Sequence, residues 1–276
     1  MPGALPLRTL ADLESLVEHL RGSAVESGLR AEPLTVGRGH LTARLPLTEG
    51  SRTPDGRLSR LVLGPLADLG VGVAVNSAVV DSAGGPTVEL TVAIAGEPDP
   101  DAQFLVVESE LVSMSSAAGM ARCVIRDYLD VVVAHAWGVT AAFPGVADPV
   151  GEPPTDRFDP QSVVVEPLAA DFSRARVSLD RSMVSSRGNV HGGVLAGIAM
   201  TVQDAFQAGS GAHGLTFAVQ FLRPAAPQLG HLECHSEFVR RGRTFRTVRT
   251  RLLRPDGVVV LEATGTSVIS AEAETS

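Results

Sequence analysis

Two short stretches carry residues whose types and spacing suit chemistry. Asn189-Val190-His191-Gly192-Gly193 opens an apolar run that continues to Gln207. Glycines at a helix start leave backbone N–H groups without intrahelical partners, and the helix dipole adds positive potential there. Such groups can receive an oxygen that is gaining negative charge, and glycine lets it approach the backbone closely. The second stretch holds Asp68 among Leu66, Ala67, Leu69 and Val71. An acid on a helix is usually a solvated surface residue, but this one has almost no polar company. A carboxylate so placed is suited to take a proton from water or to act as a nucleophile.

Other residues qualify less directly. His191 either orients the glycine turn through a backbone hydrogen bond or touches a ligand. Asp204 is a rival acid, four residues beyond Met200 on the same helical face. Seven arginines fall between Arg240 and Arg254, either a solvated strand face laced with ion pairs or, through Arg241 and Arg243, a grip on phosphates. The remaining histidines show no ligand spacing with acids or cysteines, so no metal is expected. A Gly-x-Ser-x-Gly elbow, a P-loop and a dinucleotide fingerprint are all missing, which removes support for serine hydrolases, nucleotide hydrolases and dehydrogenases.

Helices are needed to hold these residues. Leu58 to Ser77 and Asn189 to Gln207 read as long apolar helices, with Pro65 threatening a late start or kink in the first. Gly39 to Leu45 precedes the first helix as a strand, and Thr87 to Ile94, Phe104 to Val112, Ala121 to Arg126 and Val131 to Trp137 follow it. Around the second helix the order recurs: Ala175 to Leu179 before it, then Leu215 to Leu222, Leu232 to Arg240, Thr244 to Leu253 and Val258 to Ile269. Asp256-Gly257 supplies the positive φ angles of a tight hairpin between the last two. Ser109-Glu110-Leu111-Val112 is echoed by Ser236-Glu237-Phe238-Val239. Between the two series, Gly138 to Gln161 is rich in proline, glycine and acid, the composition of a linker. The expected division is residues 1–140, a linker over 141–161, and residues 162–276.

Composition narrows the partners. The 276 residues are 44% apolar and 4% aromatic, with a formal net charge of −8, which disfavours nucleic acid, whose binders need a cationic face and stacking rings. All 23 basic residues are arginine, excluding lysine Schiff-base chemistry. Cys123 and Cys234 read as small buried hydrophobes in a reducing cytoplasm. Met1 to Leu20 mixes Asp12, Glu14 and Glu18 with leucines, the pattern of an amphipathic helix and not of a signal peptide. Leu61 to Val80 is apolar but contains Pro65, Asp68 and Asn76, so a buried helix is preferred to a membrane span.

The run from Arg187 to Ala196 resembles the N-x-H-G-G helix entry of hotdog-fold thioesterases of the phenylacetate-pathway (PaaI-type) group. Phe221-Leu222-Arg223-Pro224-Ala225 is similar to that family's F-L-R-P-A strand end, and Arg240-Arg241-Gly242-Arg243-Thr244 to its R-x-G-R turn. In the first half the resemblance rests on Gly64-Pro65-Leu66-Ala67-Asp68, similar to the family's L-A-D helix motif. It implies an α+β fold of two tandem hotdog domains, each a curved antiparallel β-sheet wrapped around a long central helix, with the sheets joined as a pseudo-dimer. In the family the acid follows the histidine by nine positions. Nine after His191 is Met200, and nine before Asp68 is Ser59, so one repeat keeps the acid and the other keeps the glycines.

The implied function is hydrolysis of an acyl-CoA thioester at a composite site between the repeats. Asp68 would be base or nucleophile, with Gly192 and Gly193 as oxyanion donors beside His191. Asn189 and Asp204 would face the substrate, and Arg241 and Arg243 its coenzyme A phosphates. Coenzyme A is then part of the substrate, no separate cofactor is needed, and a homodimer of the whole chain is a further expectation. A noncatalytic acyl-CoA-binding protein is the rival, since each repeat has lost half of its machinery. A hotdog hydratase or dehydratase is a third reading, whose paired acid and histidine motif is not found.

Overall fold

The computed structural model describes residues 18, 20, 22–79, 84–142 and 155–269. Most of the expected leading helix, and residues 143–154 of the expected linker, lie outside the described residues. From Ala24 on, the elements are a short helix α1 (Ala24–Leu29), an edge hairpin β1 (Glu32–Gly37) and β2 (His40–Pro46), and a long helix α2 (Arg60–Asn76). Strands β3 (Thr87–Ile94), β4 (Phe104–Met114), β5 (Ala118–Asp127) and β6 (Val132–Ala141) follow. Then come β7 (Val165–Pro167), β8 (Arg174–Ser178), helix α3 (Gly192–Phe206) and β9 (Ala212–Phe221), β10 (His231–Arg241), β11 (Phe245–Leu253) and β12 (Val259–Ile269). Gly138 to Ala141, where the linker-like composition begins, complete β6, residues 138–140 pairing with β3 and β5 and Ala141 with β5.

All twelve strands form one sheet in the order β1-β2-β4-β5-β6-β3-β9-β12-β11-β10-β8-β7, with every pairing antiparallel. The order reads alike from either edge: the strand before each long helix lies outermost but one, and the strand after it lies at the centre. There β3 and β9 pair from Glu89↔Gln220 to Ala93↔Thr216. Alternating burial along β5 and β10 puts one side chain in two against the helices, the period-2 pattern of a sheet with one covered face. Asp256-Gly257 lies in the turn between β11 and β12 as expected, but only Gly257, at φ 83°, takes a positive φ; Asp256 does not.

The helices lie side by side under this sheet, α2 touching β2 through β6 and α3 touching β9 through β12. Both are buried along most of their length, which explains why they are apolar nearly all round. Helix α2 runs without interruption through Pro65 and starts at Arg60, so the late start raised by the proline does not occur. They cross through glycines. A Cβ on Gly64 would stand 2.3 Å from the Gly193 carbonyl oxygen, and one on Gly197 would stand 2.7 Å from the Arg60 carbonyl oxygen. Only hydrogen side chains allow this approach, which brings the third turn of α2 to the first turn of α3.

Candidate active site

The two helix starts are built alike. Ser59 and His191 are the N-caps of α2 and α3, with φ/ψ of −61°/132° and −61°/133°. Each side chain accepts the N–H two residues on: Ser59 Oγ from Leu61 at 3.2 Å, His191 Nδ1 from Gly193 at 3.0 Å. Ser59 and His191 therefore occupy matching positions, as the nine-residue spacing to Asp68 and Met200 requires. What differs is the chemistry each helix offers the other.

At the start of α3, Asp68 arrives from α2 and is 9% exposed. Its Oδ2 accepts the Gly193 N–H at 2.8 Å, and its Oδ1 accepts the Thr87 hydroxyl at 2.5 Å from the first residue of β3. A carboxylate has about four acceptor positions, so lone pairs remain for a water or a reacting carbon. The Gly193 N–H, expected as an oxyanion donor, is thus already engaged by Asp68 and His191. Gly192 is different. Its N–H, the first of α3, has no acceptor among the described residues, and Gly192 lines the adjoining cavity.

That cavity is about 480 Å³ and is walled by both halves of the chain, including Asp68, Thr87, His191, Gly192 and Phe221. Asn189 lines it. So do Arg187 and Arg223, which the sequence offers as parts of motifs and not as candidate contacts.

Glu26 is the largest addition. Its Oε1 lies 2.8 Å from His191 Nε2, and Ser23, which precedes α1, donates its hydroxyl to Oε2. Burial raises the Glu26 pKa, but His191 and Ser23 outweigh it and bring it down to about 2. For His191, burial lowers the pKa, while Glu26 and then Asp68, 3.5 Å from Nδ1, overcome that and lift it to about 9. The Gly193 N–H aimed at Nδ1 demands a lone pair there, so the arrangement seen is the one with Nδ1 unprotonated. Nothing in the pattern around Glu26 marks it beforehand, since six helical residues give no periodicity to read.

The matching place at the start of α2 is closed. Met200, fully buried, stands where the acid would be, and Arg60 stands where Gly192 does. The Arg60 guanidinium lies 6.0 Å from the Phe217 ring centroid and donates to Asp204 Oδ2 at 2.9 Å. Asp204 is therefore the partner of a buried arginine and not a wall of the Asp68 cavity, contrary to the expectation from helical phase. Arg241 and Arg243 are also elsewhere. They line a separate cavity of about 400 Å³ with Gly209 and Ser210, just past the C-terminal end of α3, whereas His191 caps its N-terminal end. Cys123 and Cys234 are buried free thiols, pushed up to about 12 by desolvation. No described helix is long and apolar enough to cross a membrane.

A long helix against a curved antiparallel sheet, twice over, is the arrangement of the hotdog fold. Residues 180–268 match the family model described as the acyl-CoA thioesterase N-terminal domain. The chain is similar in structure to a TesB protein of Mycobacterium avium subs paratuberculosis, with a TM-score of 0.62, 12% identity, and 94% of this chain and 99% of that one covered. It is also similar to the acyl-CoA thioesterase II TesB2 of Mycobacterium marinum, at TM-score 0.58 and 17% identity, covering 89% and 97%. A third similar structure is a hot dog fold protein of unknown function from Alicyclobacillus acidocaldarius, at TM-score 0.57 and 14% identity, covering 87% and 96%. No curated protein sequence matches.

Proposed function

We propose that this protein hydrolyses acyl-CoA thioesters at one composite site, in a chain made of two fused hotdog units with PaaI-type motifs. The observation that carries the reading is the meeting of Asp68, from the first unit, with the unpaired Gly192 N–H and the His191 turn of the second, on the wall of one cavity. The thioester carbonyl oxygen would sit at the Gly192 N–H, aided by the α3 dipole. A water held by the free lone pairs of Asp68 would attack the carbonyl carbon and pass its proton to the carboxylate. The tetrahedral intermediate would then release the thiolate. One oxyanion donor is worth about 3 to 4 kcal/mol in the transition state, so a single N–H from Gly192 suffices for a large effect. Gly193 serves instead to orient the base.

The coenzyme A phosphates are assigned to Arg187 and Arg223, which lie on the wall of this cavity, in place of Arg241 and Arg243. The closed start of α2 supports one live site per chain. The test is a panel of short, medium, long and aromatic acyl-CoAs, followed by release of free thiol. Turnover of at least one class supports the reading. Tight binding of acyl-CoA without turnover would favour the noncatalytic alternative.

A further inference from the structure

The short helix α1 precedes the first strand and lies outside both sheet-and-helix units, yet it reaches the centre of the site. Its start is tied by two backbone bonds: the Ala24 N–H donates to Val184 O at 3.2 Å, and the Phe158 N–H donates to Ala24 O at 3.1 Å. Gly28 lies so close to the chain that a Cβ there would stand 2.2 Å from the Phe158 carbonyl oxygen. This seating presents Glu26, 8% exposed, to one ring nitrogen of His191. The other nitrogen faces the Gly193 N–H and Asp68.

We propose that Glu26 is a positioning residue which keeps a proton on His191 Nε2, dedicates Nδ1 to Gly193 and Asp68, and so sets the pH at which the site becomes active. A buried carboxylate 2.8 Å from Nε2 is an acceptor only, so Nε2 stays protonated in both ring states. A second proton can then enter only at Nδ1. There it displaces the Gly193 hydrogen bond and turns toward Asp68 Oδ2, 3.5 Å away. Protonation at Nδ1 thus costs the base its lone pair and the glycine turn its cap together. The active form is the one with Nδ1 unprotonated.

Among the described residues, the groups that face the ring are few. Glu26 and the Ser23 hydroxyl come from the α1 side, Asp68 comes from α2, and Arg187 and Arg223 line the same cavity from the loops before α3 and after β9. Of the charged groups, Glu26 is the one in hydrogen-bond contact, and the lift of the histidine pKa above its ordinary range agrees with it as the dominant partner. The proposal rests on the thioesterase reading only for its kinetic consequence.

Two measurements test it. Ring-nitrogen chemical shifts of His191 in the ¹⁵N-histidine-labelled protein need no substrate, so they decide the proposal even if hydrolysis is never found. Nε2 should stay protonated across the titration while Nδ1 titrates well above neutrality. In Glu26→Gln, where the amide keeps the size and an acceptor oxygen but loses the charge, the Nδ1 midpoint should fall by about one pH unit or more. Gly28→Ala, which shifts α1 and leaves Glu26 in place chemically, should lower the midpoint in the same direction. With an acyl-CoA substrate, kcat should rise with pH through the wild-type midpoint, and Glu26→Gln should move that rise to lower pH by a matching amount. A His191 titration unmoved in Glu26→Gln, or a ring that protonates first on Nδ1, would overturn the proposal. A moved titration with an unmoved kcat profile would overturn its catalytic half.

Discussion

The Asp68 carboxylate accepts the backbone N–H of Gly193 at 2.8 Å across 125 residues of sequence. One bond therefore joins the proposed base to the helix start that carries the Gly192 N–H, and a change in the packing of either helix reaches both.

The glycines of the α3 start should separate stability from catalysis. Gly193→Ala would put a Cβ 2.4 Å from Pro65 Cα, backbone that cannot yield locally. The helices must part, and chemical denaturation should show a loss of about 2 kcal/mol or more. Gly192→Ala meets only Asp68 Oδ2 at 3.0 Å and the Phe221 ring at 3.4 Å. It should fold nearly as the parent does, while kcat falls as the base is pushed aside.

The Arg60–Asp204 pair should behave as structure. Their side chains are 7% and 22% exposed, and removing one partner of a buried pair costs about 3–5 kcal/mol. Asp204→Ala should fall toward the lower end because the acid still meets some solvent. Urea unfolding measures this, and kcat of the folded variant should change little.

Stability should carry the mark of the Glu26–His191 pair. The histidine pKa is raised in the folded chain from 6.5 to about 9, so its contribution is complete below 6.5 and is lost as pH rises through 9. The glutamate pKa is lowered from 4.5 to about 2, so its contribution is present above 4.5 and is lost as pH falls toward 2. The pair therefore stabilises fully between 4.5 and 6.5. Tm measured from pH 6 to 9 should decline more steeply in the parent than in Glu26→Gln.

Much of this was legible in the sequence. Period-2 alternation and turn residues locate the ten interior strands within a few residues, and the apolar runs locate α2 and α3. The two missed strands, β1 and β7, are the sheet edges. Their burial patterns do not alternate, and each contains a proline that an interior ladder would reject. Asp68 and His191-Gly192-Gly193 stand out because polar or flexible residues interrupt apolar runs. Thr87 and Glu26 do not, since a threonine at a strand start and a glutamate in a short helix are ordinary there. The misplacement of Asp204 has a physical origin: helical phase predicts which face a residue occupies but not that Arg60 waits opposite it. The arginine run stands out by density in the sequence, whereas the cavity that Asp68 and Gly192 line is bordered by Arg187 and Arg223, single arginines in loops.

Those arginines give a direct comparison. Arg187→Ala and Arg223→Ala should each raise KM for an acyl-CoA by about tenfold, equivalent to about 1.4 kcal/mol, with little change in kcat. Arg241→Ala with Arg243→Ala should leave KM unchanged. The reverse outcome would return the phosphates to the far end of α3.

The composite site is tested most directly by the kcat of Asp68→Asn on the best substrate of the acyl-CoA panel, beside Asp204→Asn as its counterpart in the closed half. The asparagine keeps the shape of the side chain and an acceptor for Gly193 but loses the proton-accepting charge. A fall in kcat of about 10²-fold or more is predicted for Asp68→Asn, with near-parental kcat in folded Asp204→Asn. Hydrolysis that persists in Asp68→Asn and disappears in Asp204→Asn would contradict the account and place the base in the second half of the chain.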